Sequence, residues 1–422
     1  MEDATAQTES QQAPAQNEGI ARYLFIIGFG VFVTTIAQVK AIGLLPLQMH
    51  LIRDMKLSAT DVSMFFLIGT FAWYIKPLFG LVADSMPLFG SPRRTWLILS
   101  SMLAAACWMG MGAFENRYKA LLGACVLVNV AMVMASTVIG GLLVVEGQKH
   151  GATGRFSSLR LLTQNLTFVF VGPVSGYLAA RAFHLTAWLG AALMVMLAAA
   201  VALMLPEQKV DTRNTAVWYD AWVQMKEIYH SRTMWAAAGL LFLVMVSPGF
   251  NTPLLIYSTK QLHFNEQFIG NLQFWSALPG LVAAAAYALV CKRISLKPLL
   301  FWGIALNAAF TLLYLWYNGP TAAILINMVT GFVGTLALIP VMDLATRATP
   351  SGSGSFGYAL MMSVYNIAIQ LSDIAGSYLF DHRGLTFKSL VWVNAGTTAM
   401  VLIFIPLLPK ILMSRRDGEP GG

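Results

Sequence analysis

Four ionisable side chains stand inside stretches that are otherwise apolar: Lys40, Lys76, Arg160 and Asp373. A charge at the centre of a bilayer costs at least about 2.5–3.5 kcal/mol on insertion scales, so such a group faces a partner or a wet cavity. Three cations against one acid leave a positive excess, which favours an anionic solute. Gln164 and Asn165 follow Arg160, and Asn366 and Gln370 precede Asp373, supplying donors and acceptors that can read the amide-like edge of a ring. Lys76, Arg160, Gln164, Asn165, Asn366, Gln370 and Lys40 are therefore the expected binding residues. The competing roles are an ion pair of Lys76 with Asp373, a bridge from Arg160 to Glu146, snorkelling of Lys40 toward water, and interhelical hydrogen bonds for the amides. Asp373 is the expected proton-coupling group, since burial and a lysine neighbour push a carboxyl in opposite directions; permanent pairing with Lys76 or Lys40 is the alternative.

These residues need elements to hold them in lipid. Twelve apolar runs lie at about 22–47, 61–83, 95–113, 120–146, 156–181, 185–205, 233–257, 266–290, 298–317, 320–344, 355–380 and 388–408, each near the roughly 20 residues a spanning helix needs. The chain is 57% hydrophobic and 11% charged with mean hydropathy +0.66, against roughly 45–50% and 25% for ordinary soluble domains. A spanning segment must satisfy its own backbone, which leaves helices or a barrel. Barrel strands alternate polar and apolar residues, and these runs do not. The expected fold is all-α, with twelve transmembrane helices in two pseudo-symmetric six-helix bundles. Ser363, Asn366, Gln370, Asp373 and Ser377 share one face of the eleventh run, and Arg160, Gln164 and Thr167 one face of the fifth. The third and sixth runs carry no charge, the twelfth none beyond Lys388 at its edge, and all three read as lipid-facing.

Orientation follows from the connections. With residue 1 in the cytoplasm, sixteen of the 27 basic residues fall on that side and eight opposite, the other three lying inside helices. The positive-inside rule then places both termini in the cytoplasm. Residues 1–20 read as a disordered cytoplasmic tail, 21–206 as the first bundle, 207–232 as a cytoplasmic linker, 233–409 as the second bundle and 410–422 as a second tail. Within the linker Trp218, Trp222, Met225 and Tyr229 recur at helical spacing, as in a helix lying on a membrane face. Cys107 and Cys125 sit in apolar runs and Cys291 at a helix end, so packing is their expected role.

The net charge of +8 needs no nucleic-acid partner. The six His residues fall in or near connections without metal-ligand spacing, and no Walker A run is present, so neither an enzyme nor a cofactor is expected. The expected partners are a small anionic solute, protons and the lipid bilayer, with the chain a monomer in the plasma membrane, or in the inner membrane of a bacterium.

The halves resemble each other. Asn165 stands 12 residues before Tyr177 in Gly176-Tyr177-Leu178, and Asn366 stands 12 before Tyr378 in Gly376-Ser377-Tyr378-Leu379. Carriers built from repeated halves place solute between them near mid-membrane and rock one half against the other. Ser247-Pro248-Gly249-Phe250-Asn251-Thr252-Pro253 must break or kink the seventh helix, because two prolines remove amide donors. Gly80, Asp84, Gly90, Arg93 and Arg94 suit motion: the glycines let the second helix approach a neighbour across the pseudo-twofold, and Asp84 can accept from Arg93 in a cytoplasmic latch. Glu146 and Asp343 end the fourth and tenth helices and join this gating set, with local pairing to Arg155 or Arg347 as the alternative.

The stretch Trp73-Tyr74-Ile75-Lys76-Pro77-Leu78-Phe79-Gly80, continuing through Asp84-Ser85-Met86-Pro87 to Gly90-Ser91-Pro92-Arg93-Arg94, resembles the helix 2 to helix 3 signature of the folate-biopterin transporter family. That family belongs to the major facilitator superfamily. Ala359-Leu360-Met361-Met362-Ser363-Val364-Tyr365-Asn366 is similar to the start of its eleventh helix. The segment around Glu146 departs from the family's pattern, with Val145-Glu146-Gly147-Gln148 in place of an Asp-centred motif. The resemblance implies a secondary transporter for folate or a pterin working by alternating access. Its alternative is a facilitator permease for another organic anion, such as a muropeptide or a siderophore.

Overall fold

The computed structural model describes residues 21–86, 88, 91, 93–149, 153–205, 216–291, 293–349, 354–409 and 413. The expected tails 1–20 and 410–422, Met413 excepted, and the linker residues 207–215 lie outside the described residues. Among those described, regular structure is helical apart from one isolated bridge between Leu88 and Ser91.

The first half runs through α1 (Ala21–Ile36), α2 (Leu44–Met49), α3 (Ala59–Gly69), α4 (Lys76–Ser85), α5 (Arg94–Ala113), α6 (Tyr118–Lys149), α7 (Thr153–Ala179) and α8 (Phe183–Met204). After α9 (Ala216–His230) the second half holds α10 (Arg232–Val246), α11 (Asn251–Lys260), α12 (Glu266–Val290), α13 (Leu296–Thr311), α14 (Pro320–Ala348), α15 (Gly354–His382) and α16 (Phe387–Met400). Among the described residues eight helical spans are long and apolar enough to cross a membrane, α10 and α11 counting together, and the bent pair α3–α4 makes nine. The remaining expected runs fall on the shorter α1 and on α7 and α15, which carry the polar stripes. The protein is a multi-pass integral membrane protein.

Local sequence explains the starts. Ser58 caps α3 by accepting from the Asp61 amide at 3.1 Å, and Asn265 caps α12 by accepting from the Phe268 amide at 2.7 Å. Small residues explain the tight packing. Within the first half Gly190 of α8 lies against the Trp108 indole of α5, where an added Cβ would stand 2.7 Å from the ring. Within the second, Gly331 of α14 meets Ser276 of α12 so closely that a Cβ would lie 2.2 Å from a carbonyl oxygen. Helices in lipid associate through such close approach, because burial from water adds nothing there. Exposed apolar side chains line α5 (Leu99, Met102, Leu103), α8 (Trp188, Met196, Leu203) and α16 (Trp392, Met400), where the only Lys or Arg residues, Arg94 and Lys388, lie in the first turn.

Two helices break. The second run bends by 44° between Gly69 and Phe71 and tightens into a 3₁₀ stretch, Phe71–Ile75, before α4 restarts at Lys76-Pro77. Proline at the head of a helix lacks only an amide that has no partner there. The seventh run opens between Val246 and Asn251, as its prolines require. Its freed backbone groups find partners on neighbouring helices. The Gly249 amide donates to the Ser372 carbonyl at 2.8 Å, Asn394 Nδ2 donates to the Pro248 carbonyl at 2.9 Å, and the Ser372 hydroxyl donates to the Ser247 carbonyl.

The halves share an apolar core at the end that carries Arg53, Thr60, Glu266 and Asp381: Leu255 and Ile256 of α11 join the first half's cluster around Phe65, Phe66 and Leu121. There α7 crosses α12 backbone to backbone. A Cβ on Gly172 would lie 2.5 Å from the Gly270 carbonyl, and one on Gly176 2.9 Å from that of Glu266. Arg53 bridges to Glu266 at 3.2 Å, while the Thr60 amide and hydroxyl donate to Asp381 at 2.6 and 2.7 Å. At the opposite end α9 contacts α4 of one half and α15 of the other, burying Ala221 and Ile228 and leaving Trp218, Trp222, Met225 and Tyr229 exposed.

Candidate functional site

Lys76 sits where it does because the second helix kinks. The 3₁₀ stretch aims Trp73 at α6, where its indole donates to Asn129 at 2.9 Å. The Lys76 ammonium lies 5.1 Å from the Trp73 ring centroid, and donates to the Ser136 hydroxyl at 3.4 Å. A cation over an indole face is attracted by the ring quadrupole. Across this space α7 brings Arg160 and Gln164, one turn apart on one face, and α1 brings Thr34 and Thr35, with Gln38 just beyond its end. Together they line a cleft of about 70 Å³.

Among the described residues no carboxylate lines that cleft, and Arg160 lies close enough to Lys76 to repel it. Among the described residues neither cation forms an ion pair. Gln38 Nε2 donates to the Thr34 carbonyl at 2.8 Å, which leaves its carbonyl oxygen available. The cleft therefore offers two cations and two amides to whatever enters. A carboxylate or another compact anion fits that chemistry.

The other expected binding residues divide. Lys40 does not snorkel outward: its ammonium donates across the half boundary to Gln370 Oε1 of α15. Asn366, one turn before Gln370, is partly buried and makes no side-chain hydrogen bond among the described residues. Asn165 is exposed and stands outside the cleft lining, since the adjacent Gln164 takes the inward position.

Asp373 is not the partner of Lys76. Its Oδ2 accepts from the Ser63 hydroxyl of α3 and the Thr252 hydroxyl of α11, both at 2.7 Å, and its Oδ1 from the Thr252 amide at 3.1 Å. The Ser377 hydroxyl, one turn on, lies 2.8 Å from that of Ser63. The carboxylate thus ties α3 of the first half to α11 and α15 of the second.

Among the expected gating residues, Gly80 packs within its own half, where a Cβ would stand 3.3 Å from Thr137 of α6, rather than across the pseudo-twofold. Gly90 lies outside the described residues, as does the side chain of Asp84. Arg93 precedes α5 with its Nε close to Gly141 of α6, and Arg94 donates to the Ala202 carbonyl near the end of α8. Glu146 is buried near the end of α6. Asp343 takes the local pairing, accepting from Arg347 Nε at 2.9 Å and Nη2 at 2.8 Å, with the Tyr287 hydroxyl at 3.3 Å.

Trp73, Ser136, Gln38, Thr34 and Thr35 were not anticipated as lining residues. The pattern Thr34-Thr35-x-x-Gln38 is a polar stripe on the first run, and could have pointed to them. The Ser63, Thr252 and Ser377 cradle had a fainter signal, because hydroxyls are unremarkable in apolar helices.

Residues 39–419 match the BT1 family. The folate-biopterin transporter of Synechocystis sp. is 26% identical over 369 residues, spanning 81% of this chain and 73% of that protein. Folate transporter 1 of Plasmodium falciparum is 21% identical over 360 residues, spanning 80% and 70%. The nucleoside transporter NupG superposes with a TM-score of 0.70 at 15% identity, covering 92% of this chain and 98% of that one. That likeness shows a major facilitator fold.

Proposed function

The chain belongs to the BT1 family and is a membrane transporter, and from that premise we propose that it moves an anionic small molecule, a folate or a pterin, by alternating access coupled to protons. Twelve spans with both termini in the cytoplasm complete the proposal. The end carrying Asp381 is then outermost, and the packed α7–α12 crossing closes the carrier to the outside.

The observation that carries this reading is the pair of uncompensated cations, Lys76 and Arg160, in one cleft with Gln38 and Gln164. About 70 Å³ is room for roughly two waters at about 30 Å³ each. That suits a carboxylate and not a bicyclic ring. The cleft grips the acidic end of the solute, and the remainder extends between the halves toward α15, where Asn366 offers an amide to a pterin edge.

Asp373 supplies the coupling. Ionised, it accepts hydrogen bonds from both halves and ties the outer end; protonated, it gives up part of that acceptor capacity and the tie loosens. Acid outside favours the outward-facing form, and the higher pH inside restores the tie. Counterflow in proteoliposomes against a panel of folates, reduced pterins, muropeptides and other organic acids tests the assignment. Exchange with folates or pterins is expected; exchange confined to muropeptides or siderophores would replace them as cargo, and exchange with none would refute the carrier.

A further inference from the structure

A second cavity, of about 550 Å³, opens at the Asp381 end beside the Arg53–Glu266 bridge. It is large enough for a whole organic anion, unlike the inner cleft. Arg53 and Lys56 line it from the first half, and Lys260, Phe264 and Glu266 from the second. Three cations face one carboxylate. Arg53 is committed to Asp54 and Glu266, whereas Lys56 and Lys260 are exposed and form no ion pair among the described residues. Phe264 adds an apolar surface, fixed edge to face against Phe268 at 4.8 Å between centroids.

Lys56 is held in an unusual way. Its φ of 56° lies in the left-handed region, which L side chains rarely adopt and where glycine or asparagine is the ordinary choice. The Leu57 amide, donating to the Leu51 carbonyl at 3.0 Å, folds the chain back and pins that geometry. The ammonium is thereby carried on a short rigid turn at the cavity.

We propose that this cavity is a second, outer anion site that takes an aromatic dicarboxylate, with Lys56 and Lys260 on its carboxylates and Phe264 against its ring. Its position outside the membrane rests on the topology proposed above. An occupant held by one lysine from each half draws the halves together, so external ligand favours the closed outer end.

The probe is 4-aminobenzoyl-glutamate, an aromatic dicarboxylate, measured by equilibrium dialysis on the purified full-length protein. Wild type is expected to bind at two sites. The Lys76→Ala, Arg160→Ala double variant should keep one of them, and that one should weaken as salt is raised, because exposed charges are screened beyond about 8 Å at physiological ionic strength. The Lys56→Gln, Lys260→Gln double variant should lose the outer site by at least about tenfold while keeping the inner one, with size-exclusion profiles of both variants confirming their fold. A single wild-type site abolished by the Lys76 and Arg160 changes, or outer binding unaltered by the two glutamines, would overturn the proposal. Survival of both sites in the Lys76 and Arg160 variant would instead refute the inner cleft.

Discussion

The Ser63 hydroxyl donates to Oδ2 of Asp373 across 2.7 Å, joining the two halves through a group whose charge can change. Asp373→Asn keeps the size of the side chain but removes the charge from three hydrogen bonds. Uphill uptake driven by a pH gradient is expected to fall roughly tenfold or more, and its pH dependence to flatten, while solute exchange at equal pH persists. Parallel assays of gradient-driven uptake and counterflow in one proteoliposome preparation read both. Unchanged pH dependence in the variant would remove Asp373 from coupling.

Under the proposed function Lys76 and Arg160 act on the solute and not on the fold, since neither forms an ion pair among the described residues. A hydrogen bond to a charged group is worth about 1.5–3 kcal/mol, so Lys76→Ala or Arg160→Ala should weaken solute affinity by roughly 10- to 150-fold. Melting temperature should move little in either case. Substrate titration on the purified variants, with a thermal scan alongside, separates lost affinity from lost structure.

At Gly270 a Cβ would meet the Gly172 carbonyl at 2.5 Å, and backbone cannot yield as a flexible side chain can. Gly270→Ala should therefore force α7 and α12 apart and favour the form open at that end. A Gln267→Cys reporter on α12, next to the Pro173 carbonyl it now contacts, should react faster with a membrane-impermeant maleimide in the alanine background. Equal labelling rates would show that the crossing does not control access.

Asp54 lies beyond the first span. Burial pushes its carboxyl up, but hydrogen bonds from Arg53 and His50 outweigh this and hold it below the ordinary 3.8. A depressed carboxyl contributes stability that is complete above its unfolded value and is lost as pH falls through the folded one. The group is 40% exposed, so the contribution is about 1 kcal/mol or less. Asp54→Asn should melt slightly below wild type at neutral pH, with the difference closing in acid.

Hydropathy made the helices legible because lipid leaves the backbone no other choice, and the paired prolines made the break before Asn251 legible too. Lys76, Arg160 and Gln164 were readable as members of one inward-facing set, since a polar face through lipid must meet another, but the sequence suggested Asp373 and Glu146 as their partners instead of each other. The bend at Thr70 was not. It turns the run by 44° ahead of Lys76, yet Gly69-Thr70 is an ordinary pair in an apolar helix and only Pro77 hinted at a restart. Asn165 misled because periodicity cannot say which of two adjacent amides faces inward. Lys40 and Gln370 lie 330 positions apart, and no local pattern joins residues so distant.

The lack of a carboxylate among the described residues lining the inner cleft has an energetic consequence. Without cargo, two like charges there have nothing to neutralise them, and closing the halves around the site seals that imbalance into a low-dielectric interior. The anion proposed as cargo would cancel it, so the laden protein should turn over more readily than the vacant one. Swapping one solute molecule for another across the bilayer should outpace net accumulation.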